Sequence, residues 1–326
     1  MKITFNHSTN ISFQNVTMVT FTPSWNFNAL FRLLMAIMGT LISGTILSVI
    51  LFNRRLRTHP FHIYVINSLT INLISSLVQY PIGAASERYD TGQTFTPWYL
   101  GTGACNLYFV VISVGESAMS NTHAFMAASR MWAILLPVSY RSHHTVRFAL
   151  TAVGCQWVYL WLMNLCLIVP GPLFRRDVEV RWRSVADLIL NGMPCAIMLL
   201  SVPVILISRV RRARTARRVL GLPDGAQPGP TRRSPSSIVV AILVISFTVF
   251  FSPYILYCFI TLNSTDDWAE GFYQASLKLY GRQSICDPTL FVVALRPLRE
   301  NFRKILGRAE ESATKNARFV IILLYS

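Results

Sequence analysis

The stretch "AASRMWAILLPVSYR", residues 127–141, places a lone arginine, Arg130, at the end of a run of small and apolar side chains. No acid stands beside it: Ser129 precedes it and Met131 follows. What such a cation does depends on what kind of segment it terminates, and the surrounding chain answers that.

Of 326 residues, 52% are hydrophobic and only 13% are charged. Soluble domains carry roughly 25% charged residues, so a single aqueous core could not hide this much apolar surface, and the excess needs lipid. The net charge of +16 could suggest nucleic acid. Its distribution argues otherwise, because the basic residues form short clusters between long apolar runs, as juxtamembrane charge does. The implied partner is a lipid bilayer and not nucleic acid.

Apolar segments of spanning length lie at about 29–52, 62–85, 101–135, 147–170, 185–208 and 236–262. A span needs about 20 residues to cross about 30 Å of hydrocarbon. A seventh segment, about 269–295, is interrupted by Lys278, Arg282 and Asp287. The connecting segments support it. Residues 53–59 carry Arg54, Arg55 and Arg57, residues 137–147 carry Arg141 and Arg147, and residues 209–233 are rich in arginine with Asp224 the one acid. Alternate loops hold Glu87, Asp90, Asp266, Asp267 and Glu270, although the loop with Arg175, Arg176, Arg181 and Arg183 breaks the trend. The positive-inside rule then puts the N-terminus outside and the C-terminus in the cytoplasm, which requires an odd number of spans.

The chain divides into an extracellular tail (1–28), a seven-helix transmembrane domain (29–295), and a short amphipathic helix with a cytoplasmic tail (296–326). The tail carries sequons at Asn6, Asn10 and Asn15, which an extracellular location would expose to glycosylation. It lacks the continuous apolar stretch of a signal peptide. In "PLRENFRKIL" (297–306), Leu298, Phe302 and Leu306 share one helical face with basic residues elsewhere, as in an interfacial helix. Residues 211–237 are Pro/Gly/Ser-rich in the middle and basic at both ends, reading as a flexible cytoplasmic loop. No internal repeat suggests a transporter. The six cysteines show no C-x-x-C spacing, so no zinc or dithiol site is expected.

Several motifs occur in order along these segments. The first span contains "SGTILSVILFNRRLRT" and the second "NSLTINL", followed by Pro81. "WYLGTGAC" precedes the third, with Trp98, Gly101 and Cys105, and Arg130 lies 25 residues after Cys105. Pro137, Tyr140 and Arg141 follow, then Trp157, Pro194, "FTVFFSPY" with Phe247, Phe251, Pro253 and Tyr254, and "DPTLF" with Asp287, Pro288 and Phe291. Together these resemble the rhodopsin-like (class A) G-protein-coupled receptors, over nearly the whole chain after residue 28.

The resemblance implies an all-α seven-transmembrane bundle without enzymatic activity. It implies an extracellular ligand, a heterotrimeric G-protein partner, and a multi-pass location in the plasma membrane. Arg130, Ser129, Pro137, Tyr140 and Arg233 would face the G protein. Asn72, Phe247, Phe251, Pro253, Asp287, Pro288 and Phe291 would form the activation switch. Pro194, Pro253 and Pro288 each remove an intrahelical hydrogen bond and permit a kink. Ile112, Glu116, Tyr254 and Tyr280 would line a ligand pocket between the outer halves of helices 3, 5, 6 and 7. Glu116 would pair either with a cationic ligand group or internally, with Asn164 or a tyrosine. No cofactor or metal is expected; the family's sodium site has Thr45 and Met119 where polar partners are usual. Cys105, whose family partner loop contains no cysteine here, is either free or paired with Cys166.

The chain also departs from the family pattern at Thr45, Asn72, Ser129, Val202, Phe251 and Phe291. At Ser129 and Arg233 the family's acids, which hold the arginine in the resting state, are missing. Two readings follow: a receptor with a weakened resting lock and raised basal activity, its ligand a peptide by slight preference, or a non-signalling seven-span decoy, scaffold or heteromer partner.

Overall fold

The structure, a computed structural model, describes residues 27–89, 101–168, 185–186, 188–219, 235–263, 268–295, 298–301 and 303–304. The sequons, Arg233 and the loops at 90–100 and 220–234 lie outside them. The side chains of Cys105, Cys166 and Tyr280 lie outside the described set as well.

Seven long helical runs occur where the apolar segments fall. The first is α1 (Phe27–Phe52), followed by the short α2 (Arg54–Arg57). The second joins α3 (Pro60–Ile74) to α4 (Tyr80–Tyr89) through a π turn, Ser75–Gln79. The third is α5 (Gly101–Leu135), followed by the short α6 (Pro137–His143). The fourth is α7 (Val146–Ile168), and the fifth combines a π turn, Leu188–Gly192, with α8 (Met193–Val219). The sixth and seventh are α9 (Pro235–Asn263) and α10 (Trp268–Ala294). Among the described residues, Phe27–Phe52, Pro60–Ala85, Val146–Leu165 and Leu188–Ser208 are long and apolar enough to cross a membrane by composition alone. The third run carries Glu116, His123 and Arg130, and the seventh carries Lys278, Arg282 and Asp287. Such residues are expensive in hydrocarbon; His123 and Asp287 are buried, Glu116 and Arg130 are half-buried, and Arg282 is exposed.

Side-chain exposure follows this arrangement. On α1, Leu30, Leu34, Ile37 and Leu41 face outward, while Met35, Ala36, Ser43, Ile46 and Ile50 are buried. An outward apolar stripe of this kind suits lipid contact. The first run packs on the second and seventh, the third on the fifth, and the sixth most extensively on the seventh. Gly39 brings α1 against the π turn of the second run, because a β-carbon there would collide with Ser76 Oγ.

Both π turns have a common cause in the sequence. Each ends two residues before a proline: Gln79 before Pro81, and Gly192 before Pro194. Proline removes one backbone donor and crowds the preceding turn, and a widened turn is one way a helix absorbs it. Without an N–H at Pro194, the Leu190 carbonyl loses its ordinary intrahelical donor. Asn121 Nδ2 of the third run donates to it instead, at 3.1 Å. Asn121 Nδ2 also donates to its own helix at Ser117 O, at 2.8 Å.

Beyond α10, Leu298 is fully buried in the core cluster that also holds Phe61 and Phe291. Asn53 Nδ2 donates to Asn301 Oδ1 at 3.0 Å, tying this terminal segment to the end of α1.

Candidate functional site

Three layers of polar and aromatic residues lie inside the bundle. In the middle layer, Asp287 is completely buried. Its Oδ2 accepts a hydrogen bond from Gln283 Nε2 at 3.0 Å and lies 3.0 Å from His123 Nε2 of the third run. His123 Nδ1 is 2.9 Å from the Met119 carbonyl. A carbonyl only accepts, so Nδ1 must carry a hydrogen. With one hydrogen there, a neutral ring would turn a lone pair toward the carboxylate. The 3.0 Å contact is therefore attractive only when the pair holds a second proton, as imidazolium–carboxylate or as imidazole–carboxylic acid. The approach is a close charge contact and not a well-aligned hydrogen bond.

Asn72, which the resemblance assigned with Asp287 to the activation switch, is also buried. No hydrogen bond joins the two, and Asn72 Nδ2 donates to no protein group. Among the described residues, no three His, Cys, Asp or Glu side chains gather so as to hold a metal ion.

The His123 ring packs on Phe247 of the sixth run, with centroids 4.9 Å apart. Phe247 continues to Phe251 at 4.9 Å and Phe251 to Tyr254 at 5.6 Å. A continuous aromatic ladder thus runs from the His123–Asp287 contact along α9, the helix that also contains Pro253. His123 contacts both the sixth and seventh runs from the third, and no role was assigned to it from the sequence. Two signals marked it. It is an ionisable residue within a span, as is Asp287, and such residues pair. It also lies seven residues before Arg130, hence on the same helical face.

The outer layer is less unified. Tyr254 belongs to the cluster formed by Phe247, Phe251, Met198 and Cys258. Ile112 lines a separate cavity of about 130 Å³ with Trp157, Trp161, Gln79 and Gly115. Glu116 is half-buried on the third run. Asn164, one internal partner considered for it, is engaged elsewhere: its Oδ1 accepts from Ser113 Oγ at 2.6 Å and its Nδ2 donates to Leu160 O at 2.8 Å.

The third layer, near the C-terminal end of α5, holds Arg130. Its guanidinium carbon lies 3.8 Å from the centroid of the Phe61 ring, at the start of the second run. Phe61 is fully buried, in one cluster with Tyr64, Met126 and Phe291. Among the described residues no carboxylate pairs with Arg130, and its Nε has no hydrogen-bond acceptor. Ser129 Oγ donates to the Met126 carbonyl at 2.9 Å. The arginine expected to lack a partner thus has an aromatic seat, which a search for acids in the sequence could not reveal.

Around this seat, Tyr140 of α6 stacks on His144 with centroids 4.4 Å apart, and Trp132 meets both rings edge-on. Pro137 begins α6 at its N-terminus and so aims Tyr140 back at the bundle. Burial raises the Tyr140 phenol above its usual range, and the Arg130 charge partly offsets this. Burial pushes His144 below the usual imidazole range, as do the charges of His59 and Arg130.

The family model for the 7 transmembrane receptor (rhodopsin family) matches residues 43–291. Among curated proteins, the chain is 24% identical over 279 residues to the mouse (Mus musculus) prostaglandin E2 receptor EP2 subtype, covering 79% of this chain and 76% of that protein. It is 30% identical over 135 residues to mouse neuromedin-U receptor 1, covering 41% of this chain and 30% of that protein. With more than half its length matched by the family model and seven helical runs in the fold, the chain belongs to the rhodopsin family of seven-transmembrane receptors.

Proposed function

We propose that the protein converts binding of an extracellular ligand into activation of a heterotrimeric G protein, with its N-terminus outside the plasma membrane. The observation that carries this reading is Arg130, seated on Phe61 near the C-terminal end of α5, with no carboxylate pairing with it among the described residues. A ligand that favours one of two helix arrangements shifts their populations by its difference in affinity. The route from the outer half is the ladder of Tyr254, Phe251 and Phe247, ending on His123 and Asp287. Outward movement of α9 would part Phe247 from His123 and open the cytoplasmic face, exposing Arg130 to the G protein.

The ligand is proposed to be a peptide, because the loop leading to the fifth span carries Arg175, Arg176, Arg181 and Arg183. One relative is named for prostaglandin E2 and the other for neuromedin-U, so the test must cover more than one ligand class. The decisive measurement is G-protein nucleotide exchange in cell membranes, comparing the native chain with Arg130→Ala. Basal or ligand-stimulated exchange that Arg130→Ala abolishes supports the reading. Absence of exchange with every G-protein class would replace it with a non-signalling decoy, scaffold or heteromer partner.

A further inference from the structure

Arg130 is ringed by imidazoles in place of carboxylates. His59 Nδ1 accepts a hydrogen bond from the Phe61 N–H at 3.3 Å and so caps the helix whose first turn carries the arginine's aromatic seat. An imidazole can cap in this way only while Nδ1 is unprotonated. His62 stands 5.0 Å from His59, ring to ring, and its Nδ1 lies 2.7 Å from the Leu56 carbonyl. His144 Nε2 lies 3.5 Å from the Tyr64 hydroxyl, and its ring stacks on Tyr140.

We propose that His59 and His144 form a cytoplasmic proton sensor, whose protonation lifts Arg130 from Phe61 and raises coupling to the G protein as the cytosol acidifies. The inference rests on the reading of Arg130 as the coupling residue. Protonating His59 removes the cap acceptor at the Phe61 N–H and adds a cation beside Arg130. Protonating His144 adds a second cation within reach of Arg130's charge. The described titratable and charged groups around the collar are Arg54, Arg57 and Tyr64 before and in the second run, Tyr140, Arg141 and His143 on α6, Arg147 on α7, and Arg299 and Glu300 beyond α10, where Asn301 bonds Asn53. Cations outnumber the one acid among them, so added positive charge is poorly offset.

Both imidazoles are pushed below their ordinary 6.5, His59 by partial burial and then by the Arg130 charge, His144 by burial and then by His59 and Arg130. A depressed pKa means the folded seat favours the neutral ring. Its contribution is complete above the unfolded value and is lost as pH falls through the folded value. His59 is exposed on the cytoplasmic side, so protons reach it directly.

The test uses the full chain in lipid nanodiscs, comparing native with His59→Asn/His144→Gln. Asparagine keeps a cap acceptor and neither replacement titrates. Single His59→Asn serves if the double variant does not fold. The thermal unfolding midpoint of the native chain should fall more steeply than that of the variant as the pH is lowered from about 6.5 to about 5. Basal G-protein exchange should rise on the order of two- to tenfold over the same interval in the native chain only. Equal pH dependence of native and variant unfolding overturns the sensor, whether or not the receptor signals. A difference in unfolding without exchange at any pH supports the proton-sensitive seat and overturns the receptor reading instead.

Discussion

His123 Nε2 and Asp287 Oδ2 lie 3.0 Å apart in the centre of the bundle, joining the third span to the seventh in a site closed to solvent. Removing one partner of a buried pair leaves the other uncompensated and costs about 3–5 kcal/mol. His123→Leu should therefore lower the unfolding midpoint of the purified receptor substantially. The double variant His123→Leu/Asp287→Leu should recover much of the loss, since both buried polar groups are then gone. Additive losses in that cycle would show that the two side chains do not stabilise one another.

The guanidinium of Arg130 lies in cation–π contact 3.8 Å from the centroid of the Phe61 ring, and on the proposed reading removal of that ring should free the arginine. Such contacts contribute about 0.5–2 kcal/mol. Phe61→Leu should accordingly raise basal G-protein exchange by about two- to thirtyfold, while Phe61→Tyr, which keeps the ring face, should leave it near the native level. Lower basal exchange in Phe61→Leu, at equal surface expression, would mean that the seat supports the active arrangement and not the resting one.

Ser129→Asp restores a carboxylate next to Arg130. In the native chain Ser129 is buried, with its hydroxyl turned to the Met126 carbonyl. An acid there would be drawn to the guanidinium, and charge-assisted contacts in partly buried surroundings contribute about 1.5–3 kcal/mol. Basal signalling should fall about tenfold or more, and ligand-stimulated signalling should need higher ligand concentrations. If native basal exchange is already at the level of Arg130→Ala, the weak-lock idea fails.

These consequences differ in how far they could be read from the sequence. The seven helical runs were legible because apolar runs of spanning length and alternating loop charge are one-dimensional signals. Pro137 and Arg130 were legible through spacing. The His123–Asp287 pair was not, because its members are 164 positions apart and neither residue names its partner. Phe61 was hidden for a different reason: a search for an arginine's partner looks for acids, and an apolar ring at a helix start resembles any other core residue. Ile112 was placed in a ligand pocket with Tyr254 by resemblance, and in the structure it lines a cavity with Trp157 and Trp161, a contact that no sequence signal pointed to.

Pro194 and Asn121 supply a prediction that depends on neither signalling nor ligand. The proline withholds the donor that Leu190 O would otherwise receive, and Asn121 Nδ2 supplies one from the neighbouring span at 3.1 Å. Asn121→Leu should leave that carbonyl without a donor, at a cost of about 1–3 kcal/mol for an unsatisfied buried group. Pro194→Ala returns an N–H that can bond within its own helix. The double variant Asn121→Leu/Pro194→Ala should therefore unfold at a higher temperature than Asn121→Leu alone, even though Pro194→Ala by itself alters the π turn at Leu188–Gly192. The four midpoints form a cycle whose coupling should be about 0.5–3 kcal/mol, the range for groups that share a partner. A coupling indistinguishable from zero would mean that the π turn satisfies Leu190 unaided and that Asn121 serves only its own helix through Ser117 O.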